Sequence, residues 1–188
     1  MDKTVLDYFQ HVAEQWDTLR ANYFDESVIV KALEHAPVAQ TQVVVDVGTG
    51  TGFVAAGLAP FAQRVIGVDF SEAMLDVARE NVAKLGLTNV EFRQGDIEHL
   101  PLENESADAV FANMALHHTP DPLIVIREMA RVVKRNGRIV ITDATRHDFE
   151  WFKEEIADVW LGFTRQEIES WFEAAGLSRV RYELVGTE

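Results

Sequence analysis

The part of the sequence best suited to hold a ligand is a glycine-rich turn, Asp46-Val47-Gly48-Thr49-Gly50-Thr51-Gly52. It follows a run of valines and precedes a predicted helix. Glycine at alternate positions removes the side chains that would keep a ligand away from the backbone. N–H groups at the start of a helix favour an anion. The turn therefore predicts a site for a phosphate or an amino-acid carboxylate, without choosing between them.

Two further acids, Asp69 and Asp96, end the second and third predicted strands. Asp69 follows Gly48 by about 20 residues, a spacing at which a carboxylate accepts hydrogen bonds from both ribose hydroxyls. Asp96 lies one strand further along the same sheet edge, where it would suit the exocyclic amine of an adenine. An Asx turn or a helix cap is the alternative role for Asp96. Together with Asp46, these acids favour a ligand that carries a nucleoside.

The spacing of the glycines leaves the class of cofactor open. A dinucleotide fingerprint that begins at Gly48 requires Gly or Ala at position 53, where the chain has Phe53. A fingerprint that begins at Gly50 and ends in Ala55 satisfies the permissive version of the pattern. A nicotinamide dinucleotide therefore stays an alternative to a cofactor with an amino-acid end.

Alternating strands and helices are predicted to position these residues. Strands are expected over 43–47, 64–69, 90–93, 107–112 and 138–142. Helices are expected from Phe53 to Ala62, from the N-cap Ser71 to Gly86, and from Asp121-Pro122 to about Asn136-Gly137. Such alternation predicts an α/β fold, namely a Rossmann-like, doubly wound and mostly parallel sheet with helices on both faces.

The flanks of this body differ from it in composition, since all four Trp and all three Tyr residues lie outside 41–143. We expect a single domain with an N-terminal helical lid over 1–40, a cofactor-binding body over 41–143, and C-terminal substrate-side helices and a last strand over 144–188. The lid helix would carry the apolar stripe Val5, Phe9, Val12, Trp16 and Leu19. The C-terminal part would hold a helix over 149–159, a helix begun by a capping box at Thr164–Glu167, and a strand over 179–185.

Five segments, in order, resemble one protein family. They are Val44–Gly52, Val68–Leu75, Gln94–Pro101, Leu116–Pro122 and Arg127–Val140. The chain resembles the class I S-adenosylmethionine-dependent methyltransferases, in the small-molecule group that includes the ubiquinone and menaquinone biosynthesis methyltransferases. The resemblance implies S-adenosylmethionine as cofactor, S-adenosylhomocysteine as product, and methyl transfer to an unidentified small-molecule acceptor by in-line displacement. A non-catalytic S-adenosylmethionine-binding module and an NAD-dependent oxidoreductase are the alternatives.

The resemblance also implies a set of cofactor-binding residues. Those at the methionine end are Asp46, Gly48, Gly50 and Gly52. Those at the ribose and adenine are Asp69, Phe70, Met74, Asp96 and Ile97. Those beside the sulfonium and the substrate mouth are Asn113 and Leu116. The family usually adds an antiparallel strand at the end of the sheet. Only Gly186-Thr187-Glu188 follow the last predicted strand, so we expect that strand to be absent, replaced, truncated or supplied by a partner.

No residue is assigned as catalytic. In-line displacement chiefly requires an acceptor held behind the methyl group and the exclusion of water. The titratable groups expected nearest the sheet edge are His117, His118, His147 and Asp143, and a structural or cofactor-side role is favoured for His117 and His118. The weak substrate-side candidates are Trp16, His117, His147 and Trp151. The group Asp143, His147, Asp148 and Glu150 lacks regular ligand spacing, so no metal site is predicted.

The amino-acid composition of the chain narrows the classes of molecule that it is expected to bind. Lys and Arg number 17 against 31 Asp and Glu, a net charge of −14 that disfavours nucleic acid. The chain has no Cys, which excludes disulfides, thiolate metal sites and thiol-based handling of metalloids. Neither a targeting segment nor an apolar run of roughly 18 residues is evident, so we expect a cytoplasmic protein without a membrane span. Its oligomeric state is open, and the aromatic flanks favour an apolar or aromatic acceptor.

Overall fold

The computed structural model describes residues 3–185, which are organised around one parallel sheet. Its strands are β1 (Val43–Val47), β2 (Arg64–Asp69), β3 (Val90–Gln94), β4 (Ala107–Asn113) and β5 (Val133–Thr142). They lie in the order β3-β2-β1-β4-β5, and every neighbouring pair is parallel. The predicted Rossmann-like α/β fold is confirmed. Strand order reverses between β1 and β4, and ligands of such sheets bind at this switch point.

Helices flank the sheet, and a helix begins the described chain. They are α1 (Lys3–Val12), α2 (Trp16–Arg20), α3 (Ser27–His35), α4 (Phe53–Leu58), α5 (Glu72–Lys84), α6 (Pro122–Val132), α7 (Trp151–Glu155) and α8 (Arg165–Ala174). Short 3-10 turns cover Ala13–Gln15 and Leu116–His118. No helix within residues 3–185 is long and apolar enough to cross a membrane.

The central strand β1 explains why the valine run is continuous. Val44, Val45 and Val47 are all fully buried. Val44 belongs to the apolar cluster that contains Leu58 of α4, whereas Val45 and Val47 belong to the cluster that contains Met129 of α6. A strand covered by helices on both faces has no wet side, and so it carries apolar residues at odd and even positions alike.

Three helices begin at the predicted caps. The Ser71 hydroxyl caps α5, and the Asp121 carboxylate caps α6 immediately before Pro122. Thr164 and Glu167 form the predicted capping box at the start of α8. Each cap satisfies a backbone N–H that the first helical turn leaves unpaired. These boundaries therefore follow from local chemistry alone.

Two predicted helix ends are wrong. Helix α4 ends at Leu58 rather than Ala62, because Pro60 has no N–H with which to continue the helical ladder. Helix α6 ends at Val132, and β5 begins at Val133 instead of Arg138. The β4–β5 register steps from Val133 to Arg138, so residues 134–137 form an excursion outside the ladder, in which Asn136 has a φ of +65°.

The flanking helices are shorter than predicted. The helix expected over 149–159 is helical only at Trp151–Glu155, and Ala157, with a φ of +59°, has left the right-handed helical region. The N-terminal stripe is divided between α1 and α2 by the 3-10 turn. Short helices depend on tertiary packing for their stability, and in both segments little apolar surface is available for further turns of helix to pack on.

The last predicted strand is not formed over Arg179–Val185. The Glu183 carboxylate in this segment instead contacts Lys31 Nζ at 3.2 Å and His35 Nε2 at 2.9 Å, both on α3. An ion pair with Lys31 and a hydrogen bond with His35 thus connect the segment to α3, where backbone pairing with the sheet was expected. Within residues 3–185 the sheet ends at β5, and Gly186-Thr187-Glu188 lie outside the described residues.

Gly48 lets the turn after β1 pass close to the segment after β4. Its φ is +69°, and a Cβ built there would lie 2.6 Å from the Cβ of Ala115. Gly86, which follows α5, has an equivalent φ of +68°, but no atom lies within 4 Å of the position that a Cβ would take there. The two glycines therefore share a backbone conformation and differ in steric surroundings.

This pair separates backbone strain from crowding. We expect Gly86→Ala to lower the free energy of unfolding by about 1 kcal/mol, the cost of a left-handed alanine. Gly48→Ala should lower it by about 1–3 kcal/mol more, because Ala115 has to move. Urea unfolding followed by circular dichroism measures both. Equal losses for the two variants would show that the Ala115 contact carries no cost.

Candidate functional site

A cavity opens at the switch point, above the carboxyl ends of β1, β2 and β4. It contains about 680 Å³ of empty space, including its open mouth. The residues that line it are Phe9, Trp16, Arg20, Phe24, Asp46, Gly48, Thr49, Gly50, Thr51, Phe53, Val54, Asp69, Phe70, Met74, Ile97, Asn113, Met114, Ala115 and His118. Its position at the switch point is where ligands of such sheets bind.

Asp69, the last residue of β2, connects the glycine turn to the second strand. One carboxylate oxygen accepts from Gly50 N at 2.8 Å, and the other accepts from Ser71 N at 3.0 Å. The residue is 5% exposed and lines the cavity. Burial raises the pKa of Asp69 to about 6, although the backbone N–H groups oppose the shift. The predicted position of this acid, beside Gly50 at the sheet edge, is what the structure has.

Asp46, near the end of β1, lies beneath the turn. Its Oδ2 accepts both from Thr49 Oγ1, at 2.6 Å, and from Ala55 N, at 3.1 Å. Burial raises the pKa of Asp46 to about 7, and the nearby Asp69 carboxylate raises it further. Two acids with raised pKa values facing one cavity are a common sign of a functional site.

The turn itself offers fewer N–H groups than the sequence suggested. Gly48 N and Thr49 N both donate to the carbonyl of Val68, at 2.8 and 3.0 Å, and Gly50 N is bound to Asp69. These donors are therefore already satisfied by β2. An anionic group in the cavity needs another partner, and the cation that lines the cavity is Arg20.

Helix α2 covers the glycine turn through Asp17. The Asp17 carboxylate accepts from Thr51 Oγ1 at 2.8 Å, from Asn81 Nδ2 at 2.9 Å and from Arg20 Nε at 2.9 Å. The Arg20 guanidinium lies 3.6 Å from the ring centre of Phe53, a cation–π arrangement. Sequence patterns gave no indication of Asp17 or Arg20, because their partners are remote in the chain.

Aromatic rings form one wall of the cavity. Phe9 of α1 makes edge-to-face contacts with Trp16, Phe70 and His118, with ring centres 5.3, 6.3 and 4.9 Å apart. Trp16 is also close to the turn, since its Nε1 lies 3.7 Å from the position of a Cβ on Gly50. Any larger side chain at position 50 would therefore meet this indole.

The end of β4 supplies the opposite wall. Asn113 Oδ1 accepts from Thr142 Oγ1 at 2.6 Å, which fixes its amide beside the cavity. The next residue, Met114, has a φ of +51°, an uncommon conformation for a residue with a side chain. Such backbone strain is concentrated at functional sites.

Most of the predicted cofactor residues line the cavity. They are Asp46, Gly48, Gly50, Asp69, Phe70, Met74, Ile97 and Asn113, joined by Trp16 from the substrate-side candidates. Lining residues that the sequence analysis did not assign to the site include Phe9, Arg20, Phe24, Thr49, Thr51, Phe53, Val54, Met114 and Ala115. A stripe on an amphipathic helix signals packing, and nothing in it distinguishes a residue that faces a ligand.

Three predicted cofactor residues lie outside the lining. Gly52 packs inward, where a Cβ would lie 3.0 Å from Phe92 and 3.1 Å from Ala78. Leu116 is fully buried. Asp96 Oδ1 accepts from Glu98 N at 2.9 Å, which is the Asx-turn role named as its alternative. A contact between Asp96 and an adenine stays a prediction.

The remaining substrate-side candidates are dispersed. His147 and Trp151 contact the ring of Phe152, with centres 4.9 and 4.0 Å away, in a partly exposed group of rings outside the cavity lining. His117 is buried behind the cavity wall, and its neighbour His118 faces the cavity instead. A substrate contact for these three candidates stays a prediction.

Known proteins resemble this chain in sequence and in fold. A family profile described as a methyltransferase domain matches residues 39–176. A malonyl-[acyl-carrier protein] O-methyltransferase from Marinomonas sp. is 31% identical over 88% of this chain and 62% of its own length. A demethylmenaquinone methyltransferase from Lactococcus lactis is 38% identical over 48% of this chain and 36% of its own length. The matches thus span less than two thirds of these relatives.

The fold is also found in a solved structure. The crystal structure of a SAM-dependent methyltransferase from Aquifex aeolicus superposes with a TM-score of 0.71 and 28% identity. The match covers 89% of this chain and 87% of that one. The similarity therefore extends beyond the sheet to the flanking helices.

The raised pKa of Asp46 predicts how stability depends on pH. A carboxyl that binds its proton more tightly when folded makes stability fall as pH rises, here from about 4 to about 7. Asp46→Asn retains an oxygen for Thr49 and Ala55, because both bonds go to one atom. Relative to wild type, this variant should gain up to about 4 kcal/mol of unfolding free energy between pH 4 and pH 8.

Urea unfolding across this pH range measures the effect. The curve of unfolding free energy against pH should be flatter for the variant than for wild type. The difference between the two curves is the contribution of Asp46 protonation. Parallel curves for the two proteins would contradict a protonation of Asp46 linked to folding.

Proposed function

Because the chain belongs to the methyltransferase domain family, we propose that it transfers a methyl group from S-adenosylmethionine to a small-molecule acceptor. The observation that carries this proposal is the cavity at the switch point, where the Asp69 carboxylate lies beside Gly50 and the apolar side chains of Phe70, Met74 and Ile97. A carboxylate next to apolar walls suits a ribose joined to an adenine.

The residues present fit such a cofactor at both of its ends. Asp69 Oδ1 and Oδ2 each accept one backbone hydrogen bond, so each retains a lone pair for a ribose hydroxyl. At the other end, the backbone of Gly50 lies against Trp16 with no side chain between them, and Arg20 lines the same cavity. In this proposal Arg20 pairs with the amino-acid carboxylate of the cofactor, since the N–H groups of Gly48, Thr49 and Gly50 already have partners.

The reaction asks little covalent chemistry of the protein. S-adenosylmethionine supplies an electrophilic methyl group on a sulfonium. Phe9, Trp16, Phe24 and Phe53 restrict the acceptor's approach and exclude water, and positioning of this kind lowers a barrier by several kcal/mol. Asn113 and Met114 are held rigidly at the opposite wall. The proposal therefore assigns these residues a positioning role, without a general base.

The segment over residues 3–35 is proposed to act as a lid on the cofactor. Its contact with the glycine turn runs through Asp17, whose carboxylate is shared by Thr51 and Asn81. The lid also contributes Phe9, Trp16 and Arg20 to the cavity. A cofactor enclosed in this way would need the lid to move before it exchanges.

An apolar or aromatic acceptor is the proposed substrate class. The aromatic share of the lining supports it, because flat apolar surface recognises rings and alkyl chains. The relatives differ in their named acceptors, since one is named for malonyl-[acyl-carrier protein] and another for demethylmenaquinone. The resemblance therefore supports methyl transfer. The proposed class of acceptor rests on the residues that line the cavity.

Titration with S-adenosylhomocysteine and NAD tests the cofactor. We expect S-adenosylhomocysteine to bind and NAD not to bind; the reverse result would overturn the proposal. Transfer of a labelled methyl group to a panel of phenols, quinols, amines and carboxylic acids then tests the reaction. Tight cofactor binding with no transfer to any acceptor would favour the non-catalytic binding module instead.

Two variants should distinguish contacts with the amino-acid end of the cofactor from contacts with its ribose. Arg20→Gln should weaken S-adenosylhomocysteine binding by about tenfold, a loss of roughly 1.4 kcal/mol, yet leave 5′-methylthioadenosine unaffected, because that ligand has no carboxylate. Asp69→Asn should weaken both ligands, since both have the ribose diol. Isothermal titration measures each Kd, with the exposed Arg79→Gln as the control. An equal loss of affinity for both ligands in Arg20→Gln would show that Arg20 does not act through the carboxylate of the cofactor.

A further inference from the structure

A buried group of two histidines and one acid lies behind the cavity wall. His117 and His118 belong to the 3-10 turn after β4, and Asp158 belongs to the loop after α7. Their side chains are only 3%, 8% and 3% exposed. Among residues 3–185 this is the group of at least three His, Asp or Glu side chains whose ligand atoms lie close enough together to hold a metal ion.

The distances in this group match those around a tetrahedral ion. Asp158 Oδ1 lies 3.4 Å from His117 Nε2 and 3.7 Å from His118 Nδ1. Ligands bonded to a tetrahedral Zn²⁺ at about 2.0–2.1 Å are separated from one another by roughly 3.3–3.4 Å. All three ligand atoms lie within 4.8 Å of one another, so a closer approach of the two histidine nitrogens would complete three of the four positions.

Asp158 gives an independent indication of a missing partner. Its Oδ1 is the one buried side-chain oxygen or nitrogen within the described range that has no hydrogen-bond partner. A buried carboxylate oxygen without a partner costs several kcal/mol, so such atoms are rare unless something binds them. This oxygen lies within 4 Å of a nitrogen of each imidazole.

The surroundings of His117 resemble those of a metal ligand. His117 Nδ1 is 2.6 Å from Asp143 Oδ1, and the Asp143 side chain is 4% exposed. A carboxylate on one ring nitrogen orients the other toward a metal and increases its basicity. Two carboxylates, those of Asp143 and Asp158, thus lie near His117 within one buried region. A divalent cation would balance their charge.

We propose that His117 Nε2, His118 Nδ1 and an Asp158 carboxylate oxygen bind one divalent transition-metal ion of the Zn²⁺ type. Binding exchanges the contact of His118 Nδ1 with the Ala157 carbonyl, at 3.2 Å, for a bond to the metal. The ion fastens the 157–160 loop to the turn at 116–118, where Val159 N and Trp160 N already donate to the His117 carbonyl. Since His118 lines the cavity, the ion stiffens its wall.

Titration of metal-free protein with Zn²⁺ alone tests the site, independently of any cofactor. We expect one equivalent to bind, with a rise in Tm, and elemental analysis to find one ion per chain after gel filtration. Co²⁺ in place of Zn²⁺ should give the visible absorption typical of four-coordinate cobalt. Absence of stoichiometric binding, or six-coordinate cobalt spectra, would overturn the proposal.

Asp158→Asn is the decisive variant. It should weaken Zn²⁺ binding at least 100-fold and abolish the rise in Tm, whereas the matched control Asp148→Asn, on an exposed acid, should bind as wild type does. Metal-free Asp158→Asn should unfold no more easily than metal-free wild type, because it replaces a buried carboxylate that has an unpaired oxygen with an uncharged amide. Unchanged Zn²⁺ affinity in Asp158→Asn would assign the binding to surface histidines and end the proposal.

Discussion

The hydrogen bond from Gly50 N to the Asp69 carboxylate is the interaction on which the site depends. It joins the turn after β1 to the end of the neighbouring strand β2. The Val68 carbonyl, which is also on β2, accepts from the N–H groups of Gly48 and Thr49. A backbone satisfied in this manner is rigid before any ligand arrives, and recognition passes to side chains around it.

Those side chains come from two sources. The sheet contributes acids and a strained strand end, with Asp46, Asp69 and Met114 at the switch point. The N-terminal helices contribute rings and a guanidinium, with Asp17 as the attachment to the turn. The fixed part is suited to a ligand with defined hydroxyl and amine groups. The part contributed by the N-terminal helices is suited to recognising the shape of an acceptor and to excluding water. Relatives with different acceptors would differ in this part.

The sequence predicted the features whose causes are local. A valine run implies a strand covered on both faces, and Ser71, Asp121 and Thr164 each cap a helix through bonds to their own first turn. The acid at position 69 follows from strand spacing. The missed site residues and the last strand that is not formed depend on distant partners. Examples are Glu183, held by α3, and Asp158, whose neighbours are about 40 residues away in the chain.

The excursion at residues 134–137 has a practical consequence. It lies at the amino edge of the sheet, before β5 rejoins β4 at Arg138, and Arg135 and Asn136 are exposed. The cavity opens at the carboxyl edge, at the other end of the same strands. A peptide tag or fluorescent label inserted at this loop would lengthen a connection that bears no ladder hydrogen bonds. It would offer a handle for immobilising the protein with its ligand entrance facing outward.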